Sequence, residues 1–119
     1  MVMELKKFEE LVAEALENLP KFFKEKLENV DVVVQNWPHP NYSRGRLLLG
    51  LYQGVPKTRR GAGYTFVLPD KITIFQGPIE LLSRGDAETI KNLVVDTVQH
   101  EIAHHFGISD ARLRQLKRS

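Results

Sequence analysis

The sequence predicts one domain of mixed helix and strand, organised around a long helix near its C-terminal end. Three observations carry that expectation. The N-terminal stretch repeats apolar residues at helical spacing, and the middle of the chain holds short β-branched or alternating runs punctuated by glycine and proline. The segment Ala87 to Phe106 is apolar on so many sides that it must be central rather than peripheral. With 119 residues the chain can build a single modest core, so one domain spanning residues 1–119 is expected.

Taking the elements in order, Phe8, Leu11, Val12, Ala15, Leu16 and Leu19 line one face of an amphipathic helix from about Met3 to Asn18. Pro20 interrupts it and suits the first position of a second, short helix carrying Phe22, Phe23 and Leu27, an aromatic pair that reads as core packing. Val30 to Val34 is β-branched and fits a buried strand. Gln35 to Gly45 is punctuated by Pro38, Pro40 and Gly45 and reads as a loop, with His39 solvated and Trp37 capping the edge of the core. Arg46 to Gly54 (RLLLGLYQG) predicts a strand with Gly50 inside it and Gly54 at its end. A glycine in a strand marks a bulge or the close approach of another backbone. Either this is an edge strand blunted by glycine and proline, or Gly50 and Gly54 make room for a substrate backbone added as a further strand.

Lys57 to Gly63 (KTRRGAG) is basic and lacks the spacing of a phosphate-binding loop, so its charges read as solvated. Tyr64 to Leu68 can continue as a strand, Leu68 to Lys71 is a turn, and Lys71 to Gln76 alternates as a further strand. Gly77-Pro78 opens a short helical turn through Leu82 that Gly85 ends, and Asp86 is placed to N-cap the long helix Ala87 to Phe106. A last amphipathic turn follows through Leu113 and Leu116. Its cations Arg112, Arg114, Lys117 and Arg118 suit a helix C-terminus.

The chemistry concentrates at the end of the long helix, in the pattern HExxHxxGxxD formed by His100, Glu101, His104, Gly107 and Asp110. Histidines four residues apart lie on one helical face, where two imidazoles can converge on one ion. Glu101 projects about 100° further round, beside such an ion rather than on it, where a carboxylate can take a proton from water. Gly107 can adopt the left-handed conformation that ends a helix, and Asp110 then brings an oxygen ligand. Two histidines and a carboxylate leave a tetrahedral zinc with an open position, as catalytic sites require. The same donors also suit iron, cobalt or manganese. Asp96 and Thr97 lie about one turn before His100, where either could orient a ligand.

Composition bounds the function. The chain has no cysteine, which excludes disulfides, thiolate ligands and thiol nucleophiles. Its net charge of +2 provides no strong steering toward nucleic acid. No apolar run reaches membrane-spanning length and the charged N-terminus does not read as a signal peptide, so a cytoplasmic location and no membrane partner are expected. The residues specify no oligomeric state.

HEIAHHFGISD, preceded by LLGLYQGVP and LPDKITIFQGPIELL, resembles a small family of zincin-like metallopeptidases with a minimal zincin fold. The resemblance covers about Val30 to Leu116 and every position of the HExxHxxGxxD pattern. It implies an α+β domain in which N-terminal helices and a small mixed β-sheet pack on a central active-site helix. It also implies His100, His104 and Asp110 as zinc ligands, Glu101 as general base, and a peptide or protein as substrate. For an oxyanion or substrate contact the candidates are Tyr52, Tyr64, His105 and Arg112. Two other readings fit the same residues. A bacterial endoribonuclease family of related small fold uses metal histidines spaced HxxxHxxxxxH, but here Glu101 holds a base position and Asp110 stands where that family has its third histidine. Alternatively the site only stabilises an interaction module that binds a partner through KTRRGAG or the LLGLYQG edge.

Overall fold

The structure is a computed structural model that describes residues 3–54 and 69–117. The expected basic loop Lys57 to Gly63, the strand Tyr64 to Leu68 and the candidate Tyr64 lie outside the described residues. In chain order the described elements are α1 (Leu5–Glu17), α2 (Lys21–Lys26), β1 (Val30–Gln35), α3 (Pro40–Ser43), β2 (Gly50–Gln53), β3 (Asp70–Phe75), α4 (Gln76–Ser83), α5 (Ala87–Phe106) and α6 (Asp110–Lys117). This is an α+β arrangement: helices and a small mixed sheet packed around α5.

The sheet has three strands in the order β1-β3-β2, with β1 parallel and β2 antiparallel to the central β3. The register places Val32 opposite Ile72, Val34 opposite Ile74, Gly50 opposite Ile74 and Tyr52 opposite Ile72. Because side chains alternate between faces, these residues share the face turned to the helices. Ile72 and Ile74 on it are fully buried, and they join Phe8, Leu11, Val12 and Ala15 of α1, Phe23 of α2 and Ile79 of α4 in one core.

Helix α5 runs through that core. Ile90, Val94, Val98 and Ile102 recur at four-residue steps and all are fully buried, so burial anchors the helix on the same turns that carry the histidines. Leu93 and Val95 are only partly buried against the core. Phe106, at the last turn, is 45% exposed, with Lys26 of α2 lying 4.6 Å over its ring. The expected cap is present: the Asp86 carboxylate accepts from the Thr89 backbone N–H at 3.0 Å and from its hydroxyl at 2.7 Å. These bonds hold the Asp86 carboxyl below its ordinary value of 3.8, the hydroxyl contributing most. A depressed folded pKa contributes stability above the unfolded value and loses it as pH falls through the folded one. Asp86→Ala should therefore lower Tm at neutral pH, and the gap from the parent should close below about pH 4. A gap that persists in acid would rule out the carboxylate as its source.

The expected strand Arg46 to Gly54 is shorter than the alternation suggested and pairs only over Gly50–Gln53. The reason is its partner: β3 ends at Phe75, where α4 begins, so residues 46–48 meet no facing strand, and Leu49 retains one bond, from Phe75 N. The expected loop Gln35 to Gly45 contains the single turn α3, whose N-cap is His39: its Nδ1 accepts from Asn41 N at 3.1 Å. Pro40 at the first helical position was the sequence signal for that turn. Trp37 is 58% exposed and its indole lies against Gly77, where any side chain would collide with it.

Candidate metal centre and general base

The site grows from the C-terminal turns of α5. His100 and His104 are both exposed. His100 Nδ1 lies 2.8 Å from the backbone carbonyl of Asp96. A carbonyl can only accept, so Nδ1 carries a proton, and the neutral ring in this tautomer has its lone pair on Nε2. Hydrogen bonding of the second nitrogen to a carbonyl is how proteins fix the tautomer and ring orientation of a metal-binding histidine. The Asp96 carboxylate stands 3.5 Å from the same nitrogen and accepts from Lys117 Nζ at 2.8 Å. The role open to Asp96 in the sequence thus falls mainly to its carbonyl, while its side chain ties α6 to α5.

Gly107 ends α5 in the left-handed conformation (φ 67°), and Ile108 N bonds back to Ala103 O at 2.8 Å. The chain then reverses into α6, which opens with Ser109 as a cap: its hydroxyl accepts from Arg112 N at 3.1 Å and its carbonyl from Leu113 N at 2.8 Å. Asp110 is the first residue of α6 and is exposed. Leu113 and Leu116 are buried, and with the Lys117–Asp96 pair they fix α6 on α5. Among the described residues no three His, Asp or Glu side chains are gathered closely enough to form a ready-made ion cage. His100, His104 and Asp110 therefore sit on two elements joined by the Gly107 turn, and the structure does not itself bring them to a common point. Their chemistry nonetheless fits zinc: two imidazoles, one already oriented by a carbonyl, and a carboxylate that enters none of the hydrogen bonds described.

Glu101 reaches the sheet. Its Oε1 accepts the backbone N–H of Tyr52 on β2 at 2.9 Å. A cleft of about 290 Å³ opens beside it, lined by Leu48, Leu49, Gly50, Asp96, Thr97, His100 and Glu101. A larger concavity of about 610 Å³ around Trp37, Gly77, Leu81 and Arg84 contains none of the motif residues. Volume and chemistry point to different places, and the cleft with His100 and Glu101 on its wall is the candidate site.

The remaining candidates divide. Gly50 lines the cleft. A Cβ there would come 2.6 Å from Thr97 Cγ2, so the close approach that this glycine permits is by α5. Gly54 faces the His105 ring, whose Cε1 would be 3.0 Å from a Cβ. Tyr52 stacks on His105 (centroids 4.0 Å apart, planes at 20°), and its hydroxyl donates to Asp70 Oδ2 at 2.7 Å. The single phenolic proton of Tyr52 is thereby committed to Asp70. Arg112 donates from Nη1 to Gln115 Oε1 at 3.2 Å on the exposed side of α6. Missing from the sequence reading were the Asp70–Tyr52–His105 contacts and the Lys117–Asp96 tie. The Ser109 cap was legible as a serine just ahead of an amphipathic turn.

A family model described as zincin-like metallopeptidase matches residues 27–119, which is most of the chain and includes β1 to α6. The chain belongs to the zincin-like metallopeptidase family. No curated protein matches it. For this zincin-like chain the match covers both the helix carrying the HExxH residues and the sheet edge beside it, while α1 lies outside the matched span. No helix among the described residues is long and apolar enough to cross a membrane.

Proposed function

We propose that this chain hydrolyses peptide bonds, with His100, His104 and Asp110 holding zinc and Glu101 acting as general base. The observation that carries the reading is the bond from Tyr52 N to Glu101 Oε1. It joins the candidate base to the backbone of an edge strand, where an extended peptide could be added. Zinc, when bound, supplies Lewis acidity toward a carbonyl and lowers the pKa of water toward about 7.

The chain's own groups do the rest. Since Oε1 accepts the Tyr52 N–H, Oε2 is the oxygen that takes a proton from the attacking water. The same oxygen then delivers that proton to the departing amine nitrogen, so water is divided between the two products. In an antiparallel pair, backbone groups alternate between facing the partner strand and facing outward. Tyr52 N points away from β3, so Gly50 and Tyr52 are the β2 residues whose backbone faces the free edge. A substrate strand added there would run along the Gly50–Tyr52 edge, where the buried Gly50 is the point at which α5 comes closest. Asp96 keeps His100 in the tautomer that leaves Nε2 free for the ion.

The test is hydrolysis of a mixed quenched-peptide library by zinc-loaded protein, with a chelator control. Cleavage abolished by the chelator supports the reading, and the cut sites define the substrate class. Absence of cleavage by protein shown to be folded and zinc-bound would overturn it in favour of an interaction module. Alongside, Asp110→Ala should weaken zinc binding by about ten- to a hundredfold or more, as loss of a direct ligand exceeds the effect of its hydrogen-bonded supports. Unchanged affinity in a zinc titration would place the third ligand elsewhere.

A further inference from the structure

We infer that Tyr52 is a positioning residue for Glu101, held in place by Asp70 on one side and His105 on the other. The inference rests on Glu101 being the base and adds how its carboxylate is kept where it must act. A glutamate on the surface of a helix has three freely rotating bonds, and a single hydrogen bond from a fixed donor removes most of that freedom. Here the donor is a backbone N–H, so its position is only as fixed as β2 itself. β2 is four residues long and lies at the edge of the sheet, a weak element if nothing else restrains it.

Tyr52 supplies the restraint through three groups at once. Its N–H holds Glu101 Oε1 at 2.9 Å. Its ring stacks on His105 with centroids 4.0 Å apart and meets the edge of Phe106 at 6.2 Å, which ties β2 to the last turn of α5. Its hydroxyl donates to Asp70 Oδ2 at 2.7 Å. Asp70 lies two residues from Ile72, the register partner of Tyr52, and so on the same face of β3, diagonally across the ladder. Burial, the Asp70 hydrogen bond and the Asp70 charge together push the phenol well above the usual tyrosine range, so it remains a donor at every working pH. His105 has room for its stacked position because residue 54, beside its ring, is glycine. The residue after the second motif histidine therefore acts through Tyr52, without a role as ligand.

Two measurements test this, and only one needs turnover. Amide exchange at Tyr52 should accelerate about tenfold or more in Glu101→Ala and in His105→Ala, and recover in His105→Phe, which retains a ring to stack. Unchanged exchange in these folded variants overturns the clamp whether or not any peptide is cut. On a peptide that the parent cleaves, Tyr52→Ala should lower kcat at least about tenfold, since misplacing a reacting group by about 1 Å can cost a hundredfold. KM and zinc affinity should stay within about twofold, and Tyr52→Phe, which keeps the stack and loses only the Asp70 bond, should fall between. A rise in KM at constant kcat would instead make Tyr52 a substrate contact and overturn the inference. Glu101→Gln separates the two levels. If it is inactive while Tyr52→Ala turns over normally, only the positioning role fails; if it remains active, the base assignment itself fails.

Discussion

Glu101→Gln is expected to abolish peptide hydrolysis while leaving the fold and zinc affinity unchanged. The substitution is nearly isosteric, and the glutamine carbonyl oxygen can still accept the Tyr52 N–H that Oε1 accepts now at 2.9 Å. The side chain therefore stays where it is. What disappears is the second oxygen's ability to take a proton, because the amide NH2 that replaces it only donates. General base catalysis contributes about 10²–10⁴-fold, and the loss in kcat should fall in that range or below detection. Zinc affinity should not move, since the proposed ligands are His100, His104 and Asp110 and Glu101 is not one of them. The measurement is kcat for parent and variant at equal zinc occupancy, with the Tyr52 amide followed to show that the geometry survives. Retained turnover at equal occupancy would mean that another group takes the proton.

That experiment depends on a contact no periodicity rule could have found. The helix was legible in detail: Ile90, Val94, Val98 and Ile102 at four-residue steps, Asp86 ahead of them and Gly107 behind them specify its position and both ends. These are local signals, in which burial and capping involve residues close in sequence. The edge strand was legible only as a strand. Its length was overestimated because pairing ends with the partner, and where β3 gives way to α4 is not written in RLLLGLYQG. The same holds for Tyr52. As a tyrosine near a metal motif it read as a candidate oxyanion donor, but its hydroxyl bonds Asp70, 18 residues away, and its N–H bonds Glu101, 49 residues away. Long-range partners of a side chain follow from packing, which a single sequence does not display. The candidate metal donors stand between these cases. HExxH positions His100 and His104 by helical geometry alone, whereas the place of Asp110 depends on how α6 docks through Leu113, Leu116 and Lys117.

Gly50→Ala should destabilise the protein, and Thr97→Ser should remove most of the loss. The sign is informative because the ordinary expectation is the opposite. Gly50 does not occupy a left-handed conformation, and replacing such a glycine by alanine usually stabilises by about 0.4–1 kcal/mol through the unfolded chain. Here the added methyl would lie 2.6 Å from Thr97 Cγ2 and 3.1 Å from the carbonyl of Thr73. Thr97 is buried near the middle of α5, so its methyl has little room in which to yield. The strain must then move β2 away from α5, and overpacking of this kind costs about 1–3 kcal/mol. Serine at position 97 lacks the offending Cγ2, so in that background the alanine should cost little, and a double-mutant cycle on Tm or denaturant midpoint reads the coupling directly. The same displacement would stretch the Tyr52–Glu101 bond, so kcat should fall in Gly50→Ala and recover in the double variant together with stability. A Gly50→Ala protein as stable as its parent would show that β2 and α5 are not in the close contact that seats Glu101 on the sheet edge. A loss that persists undiminished with Thr97→Ser would transfer the clash to the Thr73 carbonyl, within the sheet, and detach it from α5.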